Sequence, residues 1–236
     1  HVVRLLRQAD HDVRVASRRT GAGLATVDWK TGAGLDAAVK GVDVVVHCAS
    51  QYGSGAGMEE KLVAAARAAG VGHLVYISIV GVDRIPFFYY RGKFAGEQLI
   101  EGSGVPCTIL RATQFHDLIR VVLAMCARLP LMFLPNFRFQ PIDAAEVAQR
   151  LAGLAGGPPR GRVPDVGGPQ VHTIRELAQM YLTATGRRRL IVPFRLPGKV
   201  FRAFTAGENL TPGHADGRVT FADYLAAHPD RTTVSY

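Results

Sequence analysis

The sequence contains few cysteines and no long hydrophobic run. Its 236 residues include three cysteines, which are too few and too scattered for a disulfide framework or a zinc site, so we expect no metal centre. No apolar stretch reaches the ~18 residues needed to cross a bilayer. The most apolar stretch, residues 118–134, is interrupted by two arginines and a proline. These features favour a protein of the reducing cytoplasm with no membrane partner.

Charged residues are not abundant, yet their balance is strongly basic. They form 20% of the sequence, and hydrophobic residues form 48%, as expected for a globular protein with one large core. The net charge is +9 at pH 7. This charge is spread along the chain, and its densest run, residues 187–189, is typical of a solvated loop. We therefore expect no nucleic-acid partner, whereas a basic protein suits a phosphorylated cofactor.

Short apolar strands alternate with helices through the first half of the chain. Apolar residues at helical spacing predict helices at residues 2–9, 35–39, 57–69 and 87–100. Apolar β-type runs predict strands at residues 12–17, 24–29, 44–47, 73–80 and 106–111. Alternation at this spacing is typical of βαβ units, and near-continuous apolar strands indicate a sheet covered on both faces. The sequence therefore predicts an α/β protein with a doubly wound parallel sheet.

No strand and no glycine-rich turn precede the first predicted helix. Both features come before that helix in a nucleotide-binding βαβ unit. Gly21 and Gly23 follow a strand instead, and no helix opens directly after them, so they do not form a dinucleotide-binding fingerprint. The absent strand would lie centrally, and two strand edges would be unpaired without it. We therefore expect the first strand of the sheet to be missing from this sequence.

The alternation loosens in the second half, which predicts two domains. Residues 1–125 are expected to form an incomplete cofactor-binding core, and residues 126–236 a smaller lobe that faces the substrate. Within the second region, Asp143 is predicted to cap a helix. Thr173 and Glu176 have the spacing of a capping box at the start of another helix.

The most specific pattern lies in the middle of the chain. The segment HLVYISIVGVDRIPFFYYRGKFAGEQLIEGSGVPCTILRATQFHD resembles the NmrA-like atypical short-chain dehydrogenase/reductases. The similarity extends from the opening helix to FRFQPIDAAEVA and the VGGPQ turn. This resemblance implies a Rossmann-like fold that binds NAD(P), here without its first strand and glycine-rich loop.

The resemblance also implies three catalytic residues. Ser78 matches the superfamily's active-site serine, which hydrogen-bonds the substrate carbonyl, and Tyr89 and Lys93 match its Y-x-x-x-K pair. Residues four apart share a helical face, and an ammonium beside a phenol prepares the phenol to give or take a proton. The lysine of such proteins also binds the ribose hydroxyls. Tyr90 is adjacent, so the register stays open, and we expect Glu97 to form an ordinary surface pair with Lys93.

Cofactor selectivity in these proteins depends on the end of the strand that is here predicted at residues 12–17. Ser17, Arg18 and Arg19 occupy this place, where NAD-preferring proteins carry an acidic residue for the ribose hydroxyls. Arginines would instead bind the 2′-phosphate through charge-assisted hydrogen bonds. The alternative is a pair of solvated arginines. We expect NADP(H) to be preferred over NAD(H).

Three further places match cofactor contacts of the superfamily. Asp28 resembles the acidic residue that reaches the adenine. The loop that lies along the adenosine ribose and pyrophosphate corresponds to Cys48, Ala49 and Ser50. The loop beside the nicotinamide corresponds to Thr113, Gln114 and Phe115.

Three hypotheses for function follow. The leading hypothesis is an NAD(P)H-dependent oxidoreductase that acts on a small carbonyl or quinone-like substrate, as a monomer or homodimer. The second is a non-catalytic NADP(H)-binding sensor or regulatory protein. The third is a truncated remnant that cannot bind the cofactor, because a helix N-terminus after a glycine turn is the usual pyrophosphate site.

Overall fold

The computed structural model of the protein describes residues 1–50 and 55–229. These residues form two compact units. Of the described residues, unit 1 contains 1–50, 55–78, 87–110 and 148–163, and unit 2 contains 79–86, 111–147 and 164–229. The expected domain boundary at residue 125 stays a prediction.

The described residues contain nine α-helices and ten strands, and the elements up to residue 112 follow the order that the sequence predicts. The strands are β1 (Val15–Ser17), β2 (Leu24–Thr26), β3 (Val44–His47), β4 (His73–Ile79), β5 (Cys107–Ala112), β6 (Leu131–Pro135), β7 (Arg138–Phe139), β8 (Gly161–Arg162), β9 (His172–Thr173) and β10 (Leu190–Phe194). The helices are α1 (Val2–Gln8), α2 (Leu35–Val39), α3 (Gly57–Ala68), α4 (Phe88–Glu101), α5 (His116–Cys126), α6 (Ala144–Ala155), α7 (Ile174–Ala184), α8 (Lys199–Ala206) and α9 (Phe221–Ala227).

The strands of the first half pair in parallel, which confirms the predicted fold class. Strand β1 pairs with β2, and a second sheet has the order β3-β4-β5-β8. The β3–β4 and β5–β8 pairs are parallel, and His47 on β3 lies opposite Tyr76 on β4. Among the described residues, β1 and β3 are therefore end strands of their sheets. The further strand expected between them stays a prediction.

The core of unit 1 forms because its central strand is apolar on both faces. Leu74, Val75 and Tyr76 are fully buried on β4, as expected for a parallel strand covered by helices. The apolar stripe of α3, which includes Leu62 and Ala66, belongs to the same buried cluster as Leu74 and Tyr76. This packing fixes the distance and rotation of α3 against the sheet, and so determines which of its polar side chains are also buried.

Unit 2 has its own core and its own strand pairs. Strand β10 runs parallel to β6, and β7 pairs antiparallel with β9. The predicted caps are confirmed: the backbone N–H of Ala145 donates to Asp143 at 2.7 Å. Thr173 and Glu176 form the reciprocal bonds of a capping box at the start of α7. These caps satisfy backbone donors that a helix start leaves without intrahelical partners.

Neither a membrane-spanning helix nor a cluster of metal-ligating side chains occurs in the described residues. Within residues 1–50 and 55–229, no helix combines the length and apolar character needed to cross a membrane. In the same residues, no group of three or more His, Cys, Asp or Glu side chains is arranged to hold a metal ion.

Candidate functional site

The candidate site of unit 1 lies where parallel strands end. Ser17 is the last residue of β1, His47 is the last residue of β3, and Ser78 is the second-last residue of β4. In open parallel sheets, ligands bind outside the carboxyl ends of the strands. The candidate residues therefore occupy the end of the sheet where a nucleotide is expected.

Two of the predicted catalytic residues, Ser78 and Lys93, lie on the side of β4 that carries Tyr76. Tyr76 and Ser78 are two residues apart on β4, so their side chains point to the same face of the sheet. Helix α4 places the Nζ atom of Lys93 4.2 Å from the centroid of the Tyr76 ring. Both Ser78 and Lys93 are buried, with exposures of 3% and 5%. An ammonium over a desolvated aromatic ring gains about 2 kcal/mol.

The functional atoms of these two residues have no hydrogen-bond partner in the described part of the chain. The Oγ atom of Ser78 and the Nζ atom of Lys93 are both buried and unpaired there. Buried polar atoms in folded proteins nearly always have a partner, and an exception calls for an explanation. The unpaired ammonium of Lys93 fits the ribose hydroxyls of a nicotinamide cofactor. The unpaired hydroxyl of Ser78 fits the carbonyl group of a substrate.

Burial changes the acidity of Lys93. Desolvation lowers the pKa of its ammonium, and the nearby Glu59, Cys48 and Glu97 raise it. Desolvation has the larger effect, so the resulting pKa is about 8. Because this pKa stays above 7, the side chain is mostly protonated at neutral pH. A protonated lysine without a hydrogen-bond acceptor in the described residues is a strong donor that is ready for a ligand.

A buried carboxylate lies beside the hydroxyl of Tyr76. The hydroxyl of Tyr76 donates a hydrogen bond of 2.9 Å to Oε1 of Glu59. The Nε2 atom of His47 lies 3.6 Å from the same oxygen, which is too far for a hydrogen bond, so this contact is electrostatic. The rings of His47 and Tyr76 stack with their centroids 5.4 Å apart. These contacts join β3, α3 and β4 around a single carboxylate.

The Glu59 carboxylate carries a buried negative charge. Burial raises the pKa of Glu59, but the contacts with His47 and Tyr76 outweigh it and leave the pKa below its usual value. Burial lowers the pKa of His47, and the charge on Lys93 lowers it further, so the imidazole is neutral. Burial and Glu59 raise the pKa of Tyr76. Glu59 is therefore ionised, whereas His47 and Tyr76 are not.

The structure distinguishes the two adjacent tyrosines of α4. Tyr89 lies in the first turn, is half-buried, and is close enough to Tyr76 to raise the pKa of that phenol. Tyr90 is buried, with 6% exposure, and its ring contacts Phe87 with centroids 6.0 Å apart. Tyr89 therefore lies near Tyr76, whose ring also contacts the Lys93 ammonium. The catalytic role of Tyr89 stays a prediction.

The residues predicted to select the cofactor lie at the end of β1 and after β2. Arg18 and Arg19 are exposed, and the backbone N–H of Arg19 donates to Oγ of Ser17 at 3.0 Å. Asp28 is exposed as well, and its carboxylate accepts hydrogen bonds from the Lys30 backbone and the Thr31 hydroxyl. These bonds lower the pKa of Asp28. Asp28 therefore shapes its own turn, and its predicted contact with adenine stays a prediction.

The loop after β3 reaches the surface. Cys48 and Ser50 are exposed, and Ala49 is half-buried. The predicted contacts of this loop with the ribose and pyrophosphate stay predictions.

Unit 2 holds the three residues predicted to lie beside the nicotinamide. The hydroxyl of Thr113 donates to the backbone oxygen of Gln140. The side-chain oxygen of Gln114 accepts a long hydrogen bond from Asn209 at 3.5 Å. Phe115 is half-buried and immediately precedes α5. Thr113 and Gln114 are thus used inside unit 2, and their contact with a cofactor stays a prediction.

Sequence reasoning missed three members of the cluster in unit 1. Glu97 is 1% exposed, so its assignment to an ordinary surface pair is wrong: this face of α4 lies against the sheet. Tyr76 and Glu59 were not identified as site residues. Tyr76 precedes Ser78 by two residues on a strand, and Glu59 precedes Leu62 by three residues on a helix, so periodicity would have placed both on buried faces.

An α/β fold with polar residues at the carboxyl ends of its parallel strands is typical of nucleotide-binding proteins. Comparison with known sequences identifies the family within this class. The profile of a family described as NAD(P)H-binding matches residues 1–121. The chain belongs to this NAD(P)H-binding family. The predicted resemblance to NAD(P)-binding Rossmann proteins is thereby confirmed.

A curated relative and two solved structures extend this finding. The chain is 33% identical over 195 residues to (4-alkanoyl-5-oxo-2,5-dihydrofuran-3-yl)methyl phosphate reductase from Streptomyces griseus subsp. griseus. The match covers 74% of this chain and 66% of the relative's length.

The solved structures share the fold at low sequence identity. One is an NADPH-dependent quinone oxidoreductase from Escherichia coli complexed with NADPH, with a TM-score of 0.78 and 17% identity over 96% of this chain and 94% of that chain. Another is a nucleoside-diphosphate-sugar epimerase from Staphylococcus aureus, with a TM-score of 0.76 and 18% identity over 95% and 96% of the two chains. Both show the fold, which serves more than one kind of chemistry.

Gly96 on α4 permits the close approach of Tyr76 and Glu59, which predicts the effect of enlarging it. A Cβ atom at Gly96 would lie 2.7 Å from the Tyr76 hydroxyl and 3.1 Å from Cγ of Glu59. We expect Gly96→Ala to destabilise the protein by about 1–3 kcal/mol, because the packed side chains must move. Denaturant unfolding measures this change.

Gly153 on α6 provides the matched control. A Cβ atom there would meet nothing within 4 Å. Gly153→Ala should stabilise the protein by up to about 1 kcal/mol, since alanine favours a helix more than glycine does. Equal stabilisation by both substitutions would show that Gly96 is not needed for close packing of the cluster.

Proposed function

We propose that the protein is an NADPH-dependent reductase of a small carbonyl or quinone-like substrate. The observation that carries the proposal is a pair of buried polar atoms, Oγ of Ser78 on β4 and Nζ of Lys93 on α4, that have no hydrogen-bond partner in the described residues. Membership of the NAD(P)H-binding family supports a nicotinamide cofactor at this place. The reductase from Streptomyces griseus, at 33% identity, supports reduction as the reaction.

Each residue has a role that suits its position. When bound, the cofactor supplies a hydride to the carbonyl carbon of the substrate. The hydroxyl of Ser78 donates a hydrogen bond to the carbonyl oxygen, where negative charge develops. Tyr89 gives its proton to that oxygen as the carbon–oxygen double bond becomes single. Lys93 binds the ribose hydroxyls, and its positive charge stabilises the phenolate that Tyr89 becomes.

The proposed preference for NADPH rests on Arg18 and Arg19. Both are exposed directly after β1, with no acidic residue beside them to hold ribose hydroxyls. Guanidinium groups bind phosphate with two parallel hydrogen bonds, which suits a 2′-phosphate. A basic net charge of +9 favours the approach of a phosphorylated cofactor in the same way.

The site and the relatives support this substrate class. Ser78 and Tyr89 both act on an oxygen that gains charge, so the substrate needs a carbonyl or quinone oxygen. The names of the curated relative and of the quinone oxidoreductase both describe reductions. We also propose that the protein works in a reducing compartment, because Cys48, Cys107 and Cys126 are free thiols.

Replacement of Tyr89 tests catalysis against mere cofactor binding. We expect Tyr89→Phe to lower kcat by about 100-fold or more, because the proton donor is lost. NADPH affinity should stay unchanged. The measurement is NADPH consumption with a panel of quinones and small carbonyl compounds, together with calorimetric binding of NADPH.

Tyr90→Phe is the control, since it removes a hydroxyl from the next position of the same helix. It should leave kcat nearly unchanged. A large loss in Tyr90→Phe but not in Tyr89→Phe would place the catalytic register at Tyr90. NADPH binding without turnover of any compound by the unmodified protein would favour the sensor hypothesis.

Removal of the two arginines tests cofactor selectivity. The double variant Arg18→Ala/Arg19→Ala should bind NADPH about 10- to 100-fold more weakly, because charge-assisted hydrogen bonds to the 2′-phosphate are lost. Its affinity for NADH should not change. The control Arg187→Ala/Arg188→Ala removes two exposed charges from the loop after α7 and should affect neither cofactor. Equal losses for NADPH and NADH would contradict the selectivity role.

A further inference from the structure

Glu59 is a buried, ionised carboxylate to which the proposed reaction assigns no role. Its exposure is 4%, although glutamate is almost never fully buried without a partner. It lies near the start of α3, on the face that also buries Leu62 and Ala66. Taking a carboxylate out of water is costly, so its place in the cluster needs a compensating interaction.

The contacts of Glu59 lead to Lys93 through one ring. The carboxylate accepts the hydrogen bond of the Tyr76 hydroxyl at 2.9 Å, and this bond fixes the rotation of the Tyr76 side chain. The Lys93 ammonium lies over that ring, 4.2 Å from its centroid. A phenol that donates to a carboxylate has a more electron-rich ring, which attracts a cation more strongly. Glu59 thus acts on Lys93 both through the ring and through its charge.

We propose that Glu59 is a positioning residue for Lys93: it fixes the Tyr76 ring on which the ammonium lies and supplies the buried negative charge that keeps Lys93 protonated. The ammonium is thereby held in a dry site as a donor without a hydrogen-bond partner in the described residues. The inference rests on the proposed role of Lys93 in cofactor binding.

Other charged or titratable groups face Lys93 from each neighbouring element. They are His47 on β3, Cys48 after β3, Glu59 on α3, Tyr76 on β4 and Glu97 on α4. His47 and Tyr76 are uncharged near neutral pH because burial shifts the pKa of each toward its neutral form. Cys48 reaches the surface, but desolvation raises the pKa of its thiol, which is therefore uncharged too.

Glu59 and Glu97 are thus the two carboxylates that act on the ammonium. Glu59 has the larger effect on the pKa of Lys93. It also accepts a hydrogen bond from the hydroxyl of Tyr76, the residue whose ring lies under the ammonium. Glu97 is equally buried, with 1% exposure, and follows Lys93 by one turn of α4. Glu97 is therefore a matched control for the removal of one buried charge.

The first experiment titrates Lys93 directly in the protein without cofactor. The ¹³Cε resonance of Lys93 is followed by NMR between pH 6 and 11, and Lys93→Met identifies the signal. We expect Glu59→Gln to lower the titration midpoint of Lys93 by about one pH unit or more, a tenfold change in its proton affinity. Glu97→Gln should lower it less. Thermal unfolding verifies that each variant is folded.

The second experiment measures NADPH affinity against pH by calorimetry. Affinity of the unmodified protein should fall as the pH rises through about 8, since Lys93 loses its proton there. In Glu59→Gln this fall should begin at correspondingly lower pH. An unchanged Lys93 midpoint in Glu59→Gln, or a larger shift in Glu97→Gln, would overturn the proposal.

Tyr76→Phe keeps the test decisive if Glu59→Gln does not fold. The substitution keeps the ring under the ammonium and removes only the hydroxyl that Glu59 holds. It should weaken NADPH binding at pH 7 by about 3- to 10-fold, the effect of one hydrogen bond. Binding equal to that of the unmodified protein would contradict the positioning role.

The two proposals can fail separately. The NMR titration uses neither cofactor nor substrate, so its result does not depend on whether the protein reduces anything. A shifted midpoint in a protein without turnover would keep the role of Glu59 and reject the reductase. Turnover with an unshifted midpoint would keep the reductase and reject the role of Glu59.

Discussion

An ammonium group that leaves water must find compensating charge or dipoles, and unit 1 provides part of this compensation for Lys93. Its side chain is 5% exposed and lies over the Tyr76 ring. The buried carboxylate of Glu59 supplies the opposite charge from the adjacent helix. Desolvation still lowers the pKa of Lys93 to about 8, which shows that the protein compensates the burial only in part. The part of the desolvation cost that is not compensated suits a site in which a polar ligand pairs with the Lys93 ammonium.

The surrounding elements are arranged to make this cluster possible. Register places His47 opposite Tyr76 in the β3–β4 pair, so their rings stack. A glycine at position 96 leaves room for the Tyr76 hydroxyl and the Glu59 carboxylate against α4. The alternation of side chains along β4 then directs Ser78 to the same face as Tyr76. Backbone geometry thus brings the polar side chains of His47, Glu59, Tyr76 and Ser78 to the carboxyl ends of β3 and β4.

Local sequence patterns were sufficient to predict the elements but not the cluster. Strand β3 was predicted from an unbroken apolar run, and helix α2 from its helical spacing, with the same bounds that the structure shows. Lys93 and Ser78 were identified because they match a family pattern. Glu59 was missed because a glutamate on a helix is usually solvated, and its burial depends on the packing of α3 against the sheet.

The division into units could not be predicted for a related reason. Residues 79–86 belong to unit 2, although the segments on both sides belong to unit 1. Residues 148–163 belong to unit 1, although the segments on both sides belong to unit 2. Compact units of this kind are defined by contacts between distant parts of the chain. Periodicity within a window of residues carries no information on such contacts, whereas it does determine the type of each element.

The most direct test of the account is a crystal structure of the protein with NADP⁺ bound. The account predicts that Nζ of Lys93 lies within about 3 Å of a ribose hydroxyl, the distance of a normal hydrogen bond. It also predicts that the Lys93 ammonium stays over the Tyr76 ring. A bound cofactor that leaves the ammonium of Lys93 unpaired, or that lies away from the carboxyl ends of β3 and β4, would contradict it.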